Sequence, residues 1–299
     1  HGHETSLLTF HQYDEESLRL KVADFRPDHV IIYLESFYVD LVRRLAEHIS
    51  RRYYLPIVVG GPHATVAPHK TLSLIGVEGV ILGEWDRAVP RYLEARRVGP
   101  DYVSTPGFWF QSEGGIVRNN LAEPERPEEM VPLPDRSLYS AGQIVDSRGR
   151  VDVQGSRGCR FYCGHCQMDL AAGLYEEQQF QWLRRRPVED IAREIDHLRT
   201  TYSTMRSVRF AGCAFALDTQ YLAALADAIS GPHRVPFSAE VKTTELDSDV
   251  ARALKQAGCF EVELDVLSGS DFLRNEIFHL DLGEDQIQRA FSAARDAGL

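Results

Sequence analysis

The feature that most constrains the fold is a rhythm. Short apolar runs alternate with amphipathic helical stretches in two series, with one break between them. Strands that alternate with helices are buried in parallel sheets covered on both faces. At 299 residues the chain has room for two such α/β domains. In the first series, residues 5–10, 29–34, 55–59 and 79–82 are expected strands, and 15–24, 39–53 and 88–95 expected helices. Leu18, Val22 and Phe25 share one side of the first helix, and Leu41, Val42, Leu45 and Ile49 face inward on the second. The strand at 55–59 runs into Gly60-Gly61-Pro62, and the strand at 79–82 into Gly83.

The rhythm breaks after residue 98. Residues 107–120 read as a hairpin turning at Gly114-Gly115. An acidic linker with Pro124, Pro127, Pro132 and Pro134 follows. The second series has strands at 151–154, 207–210, 237–241 and 261–267, with helices at 188–202, 220–229, 248–257 and 283–297. Ile191, Ile195 and Leu198 mark the inner face of the helix at 188–202. Four and a half βα units in a row describe a partial (β/α) barrel of the TIM type. His1-Gly2-His3-Glu4 enters a strand directly, and Asp296-Ala297-Gly298-Leu299 stops where a glycine-ended helix hands over to a strand. We therefore expect a first βα unit before this sequence and more barrel after it.

The formal net charge is −11, which argues against a nucleic-acid partner. Arg184-Arg185-Arg186 is a local exception and reads as a solvated helix start. No apolar run approaches the roughly 20 residues a membrane span needs, and no secretory signal is visible. The five cysteines are an odd number in a long chain, unlike a secreted disulfide framework. A cytoplasmic protein with reduced thiols is expected.

Three of those cysteines fall in one run, Gly155-Ser156-Arg157-Gly158-Cys159-Arg160-Phe161-Tyr162-Cys163-Gly164-His165-Cys166. The spacing is C-x3-C-x2-C, directly after the strand at 151–154. Zinc is the plain alternative, but zinc sites usually pair two knuckles and no second knuckle exists. Cys213 or Cys259 would have to complete such a site through the fold. Three thiolates also suit a 4Fe–4S cluster with one iron left open, and barrel active sites gather at the carboxyl ends of strands. Gly155, Gly158 and Gly164 let the backbone wrap closely around sulfur. In the first series, the loops Gly60-Gly61-Pro62-His63-Ala64-Thr65 and Gly83-Glu84-Trp85-Asp86 also follow strand ends, where open parallel sheets bind ligands. Tight turns without a ligand read equally well there.

Ser156-Arg157-Gly158-Cys159 with Cys163 and Cys166 resembles the radical S-adenosylmethionine (radical SAM) superfamily. The resemblance implies that Cys159, Cys163 and Cys166 hold three irons of a 4Fe–4S cluster. It implies that SAM chelates the fourth iron and yields a 5′-deoxyadenosyl radical. His165 stands where the family carries an aromatic residue near the adenine. The order of the parts resembles the cobalamin-binding radical SAM enzymes: a Rossmann-like domain (1–98), a hairpin and Pro-rich linker (99–145) ending in Val131-Pro132-Leu133-Pro134-Asp135-Arg136, and a partial barrel (146–299). That likeness implies a cobalamin between the two domains, surrounded by Glu35, Ser36, Gly60, Gly61, His63, Thr65, Gly83 and Glu84. No Asp-x-His-x-x-Gly motif is present, so His63 is taken as a loop residue near the corrin and not as a cobalt ligand.

The chain departs from the family at two strand ends. Phe210-Ala211-Gly212-Cys213-Ala214-Phe215 has Gly212 and Cys213 where the family has acids. Their backbone is left to meet the methionyl amine. Leu267-Ser268-Gly269-Ser270 has leucine in place of the family glutamate and keeps Ser268. Period-two alternation puts Glu263, Asp265 and Leu267 toward the lumen and Val262, Leu264 and Val266 toward the helices. Glu263 and Asp265 are candidates for ribose or substrate contact, with Lys242 as their charge partner and a contact for the SAM carboxylate. A structural salt bridge is the plain alternative. We expect a mostly apolar lumen. The whole resemblance implies a cobalamin-dependent methyltransferase acting on an unactivated carbon of a small molecule, reduced by a flavodoxin or ferredoxin. The alternatives are rearrangement without methyl transfer and a non-catalytic binding module.

Overall fold

Glycine- and proline-bounded apolar runs become the strands of two separate sheets in the computed structural model, which describes residues 2–126, 132–212, 218–231 and 234–299. The first unit begins with helix α1 (Glu15–Phe25), capped by the Asp14 carboxylate on the Ser17 amide. Strand β1 (Val30–Tyr33), helix α2 (Val39–Tyr53), strand β2 (Ile57–Gly60), the one-turn helices α3 (Pro62–Val66) and α4 (Pro68–Leu72), strand β3 (Val77–Ile81) and helix α5 (Ala88–Val98) follow. Strands β4 (Phe108–Ser112) and β5 (Gly115–Arg118) form the expected hairpin. The sheet order is β1-β2-β3-β4-β5, parallel through β3 and antiparallel beyond. The hairpin is therefore the far edge of the first sheet and does not stand apart from it.

β2 is buried along its whole length, as an apolar run between parallel neighbours must be. α2 buries Val42, Leu45, Ala46 and Ile49, the spacing of one helical face. Residues 5–10 are not the expected strand: they run as irregular chain, with Leu7, Leu8 and Phe10 only half-buried. The sheet ends at β1, and a strand-like sequence without a ladder partner has little to hold it extended.

Along the rest of the chain follow α6 (Ala141–Ile144), β6 (Arg150–Gln154), the short β7 (Ser156–Arg157), α7 (Gln167–Glu177), β8 (Arg184–Arg185), α8 (Val188–Thr201), β9 (Ser207–Ala211), α9 (Thr219–Ala228), β10 (Phe237–Val241), α10 (Ser248–Gln256), β11 (Cys259–Leu264) and α11 (Glu284–Ala297), in the second unit except for most of α7. From Leu170 to Phe180, the helical segment groups with the first unit. β6, β9, β10 and β11 lie side by side in that order, all parallel, with a helix in each connection from β9 on. Their helix-facing residues, Val151, Val153, Val208, Phe210, Phe237, Ala239 and Val241, form one core with Ile191, Ile195, Leu198, Leu222, Leu225 and Leu254.

Arg184-Arg185-Arg186 is not a solvated helix start. Arg184 and Arg185 form β8 and pair antiparallel with β7, and Arg184 is buried. Arg185 reaches Asp218 at 3.0 Å and Arg186 reaches Glu194 at 2.5 Å, so carboxylates of other elements take up the charge.

Candidate functional site

β6 delivers the chain to the cysteine loop, and the β7–β8 ribbon fixes its first residues. The Arg186 amide donates to the Gly155 carbonyl at 3.0 Å. Behind β6, Glu194 of α8 accepts from Arg136 Nη2 and Arg186 Nη1, each at 2.5 Å. Its side chain is 1% exposed. The same guanidiniums donate to the Asp152 carbonyl at 3.3 Å and the Gln154 carbonyl at 3.0 Å. One buried carboxylate thus ties the last linker residues to the strand that carries the cysteines.

Gly158 has φ +80, and a Cβ there would lie 2.2 Å from the Trp182 carbonyl oxygen. Only glycine fits that approach. The other end of the loop is clamped by a π-helical turn at Leu273–Ile277 and the residues after it. The Gly164 amide donates to the Phe278 carbonyl at 2.8 Å, and His165 meets the Phe278 ring edge-on at 5.5 Å. A Cβ on Gly164 would strike His279 at 2.6 Å.

Cys159, Cys163 and Cys166 are free thiols, with Cys163 buried and the other two half-buried. Burial pushes the Cys163 thiol up, and the neighbouring Lys242 ammonium opposes that shift. Cys159 and Cys166 are close enough to act on its charge. Among the described residues, no three His, Cys, Asp or Glu side chains converge on a single ion. A tetrahedral zinc centre would need its thiolates about 3.8 Å apart, given its Zn–S bonds. An all-cysteine loop of free thiols, wrapped at Gly158 and Gly164, suits a cluster held by thiolates.

Lys242, just past β10, is 8% exposed. It forms an ion pair with Asp265. Burial works against its charge, yet Asp265 and Cys163 outweigh this and its pKa is raised. The Phe161 ring lies between Lys242 Nζ at 5.6 Å and the Arg160 guanidinium at 5.4 Å, and Arg160 is itself paired with Glu245. The Thr243 hydroxyl donates to the Asp265 carbonyl at 2.8 Å. The expected partnership of Lys242 with Asp265 is present.

Glu263 is engaged elsewhere. Arg209 of β9 holds it through Nε at 3.0 Å and Nη2 at 3.2 Å, and this hydrogen bonding holds the Glu263 carboxyl below its usual range. Arg209 also pairs with Glu240 and, at 3.5 Å, with Asp152. Glu240 in turn accepts from the Gly212 amide at 2.9 Å. The expected apolar lumen is corrected: the sheet face away from the helices carries Asp152, Arg209, Glu240, Lys242, Glu263 and Asp265. Pattern alone puts them there, since their neighbours Val151, Val153, Val208, Phe210, Ala239, Val241, Val262 and Leu264 fill the helix side.

The last strand also stops earlier than expected, at Leu264. Leu267 has φ 60, which no strand residue adopts. The turn after it is held by Arg274, 1% exposed, which donates to the Ser268 carbonyl at 2.9 Å and the Leu282 carbonyl at 3.0 Å. The Ser268 hydroxyl accepts from the Ser270 amide at 3.1 Å. Cys213 lies outside the described residues, as do Pro127, Val131, Ala214 and Phe215.

In the first unit, the named loop residues meet at the carboxyl ends of β1, β2 and β3. His63 Nδ1 lies 2.9 Å from the Ser36 hydroxyl, and the His63 amide donates to the Leu34 carbonyl at 3.2 Å. Burial lowers the His63 pKa, helped by Lys70. Buried Thr65 donates to the Gly61 carbonyl at 3.0 Å and accepts from the Gly83 amide at 3.1 Å. Glu35 accepts from the Tyr33 hydroxyl at 3.3 Å. The Glu84 amide donates to the Tyr175 hydroxyl at 3.1 Å. The glycines answer to the protein's own packing: a Cβ on Gly60 would strike Trp85 at 2.4 Å, on Gly61 the Leu34 carbonyl at 2.8 Å, and on Gly83 the Tyr175 hydroxyl at 2.6 Å. Beside them Phe37 is 94% exposed. The hydroxyl, amide and imidazole groups at these three strand ends are thus engaged with one another.

Sequence reasoning missed Arg209, Glu240, Glu194, Arg274, Tyr175 and the Phe278–His279 clamp. The alternation Ser207-Val208-Arg209-Phe210 signals a lumen-facing arginine. Nothing local signals Arg274.

A parallel sheet with three free cysteines beyond its first strand defines a class, and residues 153–299 match the Radical SAM superfamily. This part of the chain is a radical SAM domain. An uncharacterized methyltransferase of Pyrococcus horikoshii is 26% identical over 236 residues, covering 77% of this chain and 48% of that protein. One from Synechocystis sp. is 27% identical over 160 residues, covering 53% of this chain and 24% of that protein. The chain spans about half the length of the first of these curated relatives and less of the second. Among solved structures, the radical SAM methyltransferase TsrM from Kitasatospora setae, with tryptophan substrate and a SAM analogue bound, superposes with a TM-score of 0.73 at 18% identity. That match covers 95% of this chain and 57% of TsrM. The cobalamin-dependent SAM radical enzyme OxsB, with aqua-cobalamin bound, gives 0.76 at 16% identity, covering 95% of this chain and 41% of OxsB. At such identities the likeness is one of fold.

Proposed function

We propose that the chain is part of a cobalamin-dependent radical SAM methyltransferase that acts on an unactivated carbon of a small molecule. The observation that carries this reading is the trio Cys159, Cys163 and Cys166, free and wrapped by glycine at the carboxyl end of the first strand of a parallel sheet. The methyltransferase names of both curated relatives support the reaction class, and the fold shared with TsrM and OxsB supports the layout. We assign the three cysteines to a 4Fe–4S cluster, and His165, Gly212, Lys242, Glu263, Asp265 and Ser268 to the SAM side of the site. Glu35, Ser36, Gly60, Gly61, His63, Thr65, Gly83 and Glu84 form the cobalamin side, on a Rossmann-like sheet, and β6, β9, β10 and β11 belong to a partial barrel.

When bound, the cluster supplies the electron that cleaves SAM, and the cobalamin carries the methyl group. The chain's own part is to hold and orient. The loop at 155–166 would supply the three thiolates. His165, braced by Phe278, offers a ring face edge for a flat base. The Gly212 amide is already taken by Glu240, which leaves its carbonyl oxygen for an ammonium group. His63 keeps Nδ1 on Ser36, in line with a role as a loop contact. The electron would come from a flavodoxin- or ferredoxin-type donor.

The test is anaerobic reconstitution followed by incubation with SAM and reductant. Four irons and four sulfides per chain, with S-adenosylhomocysteine and 5′-deoxyadenosine formed together, are expected. 5′-Deoxyadenosine alone would point to rearrangement without methyl transfer. Bound zinc, or full iron content in Cys163→Ala, would overturn the assignment.

A further inference from the structure

β9 ends at Ala211, and the chain leaves it through Gly212 with φ +100, a conformation that favours glycine. A Cβ on Gly212 would meet nothing within 4 Å among the described residues. Packing therefore does not shape this turn, and its outer side is open. A side chain of the neighbouring strand holds it instead: Glu240 Oε2 accepts from the Gly212 amide at 2.9 Å. The other oxygen of Glu240 accepts from Arg209. Arg209 is anchored in turn by Glu263 of β11, at 3.0 and 3.2 Å, and by Asp152 of β6 at 3.5 Å. A single guanidinium thus ties all four strands of the sheet together, and Glu240 carries that anchorage out to the end of β9. Glu240 keeps 27% of its side chain exposed, within reach of a ligand at the turn.

This arrangement decides what the turn can recognise. A free amide at an open glycine turn is a donor for anions. Here the amide is already taken, and the groups left beside it are a carboxylate and a backbone carbonyl, which only accept. An amino group donates to such a pair, whereas a carboxylate or phosphate is repelled by it. We infer that Glu240 is the positioning residue that makes the end of β9 selective for an amino group, and so fixes which way round the methionyl end of SAM lies, with its amino group at Gly212 and its carboxylate turned away. This rests on the SAM assignment made under Proposed function. Arg209 acts one step further back, by keeping the Glu240 carboxylate aimed at Gly212.

The experiment measures equilibrium binding of two probes, SAM and its analogue without the α-amino group, to the reconstituted full chain, for the parent, Glu240→Gln and Glu240→Leu. Glutamine keeps the volume of glutamate but offers one acceptor oxygen to two donors. SAM should bind about tenfold more weakly to Glu240→Gln, the size of a lost charge-assisted hydrogen bond. The analogue should stay within about threefold of its parent affinity. Whatever else the amino group gains in the site is common to parent and variant, so the change in preference between the probes isolates Glu240. In the metal-free chain, hydrogen exchange of the peptide that ends β9 should quicken in Glu240→Leu. Equal weakening of both probes would overturn the inference, because Glu240 would then serve only the sheet. Unchanged preference in both variants, or exchange at the parent rate in Glu240→Leu, would overturn it too and leave the SAM assignment standing. If Glu240→Leu does not fold, Glu240→Gln still decides. A parent that binds no SAM would sink the SAM assignment itself, and this inference with it.

Discussion

Replacing Glu194 by leucine isolates what the buried carboxylate does for the cysteine-bearing strand. The side chain is 1% exposed and takes one guanidinium from the linker and one from the residue after β8. Each charge-assisted bond is worth about 1.5–3 kcal/mol, and breaking a buried pair by removing one partner costs about 3–5 kcal/mol. The arginines keep their carbonyl contacts on Asp152 and Gln154 and are 15% and 21% exposed, so the lower end applies. A loss of about 3 kcal/mol is roughly a hundredfold in an opening equilibrium. Hydrogen exchange of peptides covering β6 and β9, read by mass spectrometry, should therefore quicken about a hundredfold in Glu194→Leu. It should return most of the way when Arg136→Met and Arg186→Met are added, because an apolar trio leaves no charge stranded. The local readout matters, since a chain of two compact units is a poor subject for one global unfolding energy. A single variant within about threefold of the parent, or a triple variant worse than the single one, would refute the reasoning.

Three further outcomes are expected. Gly158→Ala places a Cβ 2.2 Å from the Trp182 carbonyl oxygen at a left-handed residue; its iron content after reconstitution should fall below half of the parent's, while β6 exchange stays unchanged. Tyr175→Phe removes the hydroxyl that accepts from the Glu84 amide; the loss should be about 1 kcal/mol, measured as exchange of the peptide ending β3. The Glu263 carboxyl is held low by Arg209 in the folded state, so the unfolded chain binds its proton first as pH falls. Its contribution to stability is whole above the ordinary glutamate value of about 4.3 and is lost as pH drops through the folded value. The melting transition of the second unit should lose part of its pH dependence between about pH 3 and 5 in Arg209→Met; an unchanged dependence would show that Glu263 is not the group involved.

What was legible in the sequence was what local pattern encodes. Short apolar runs located β1 through β3 and the four strands of the second sheet, and a 3.6-residue period located α2, matched end to end over Val39–Tyr53. The cysteine spacing singled out its loop without any knowledge of the fold. Partnership was not legible. Residues 5–10 have strand-like composition and no ladder partner among the described residues, and Arg184-Arg185-Arg186 reads as a surface run because its partners Asp218 and Glu194 are set by the fold and not by a local pattern. The 167–177 helix was missed because it carries Gly173 and follows a loop with its own signature. Arg274 has a long stretch of ordinary neighbours, and its role appears only when the backbone carbonyls of Ser268 and Leu282 turn toward it.

The charged sheet face bears on what the site can hold. Arg209 serves Glu263, Glu240 and Asp152, and Lys242 serves Asp265. Those six side chains carry four negative charges and two positive ones. Arg150, 3.9 Å from Glu263, adds a positive charge and its partner Glu261 a negative one, so these described side chains together are acidic by two, even with every carboxylate in contact with a cation. Carboxylates that share one guanidinium are incompletely neutralised and favour an approaching cation. The methionyl ammonium and the sulfonium of SAM are cations, whereas an anionic substrate placed on this face would meet repulsion. A cationic ligand of this face should therefore bind more weakly as salt rises, with Arg209→Met strengthening its binding and Glu240→Gln weakening it. An anionic compound bound competitively with SAM, more tightly in the parent than in Arg209→Met, would show that the guanidinium and not the carboxylates governs this face.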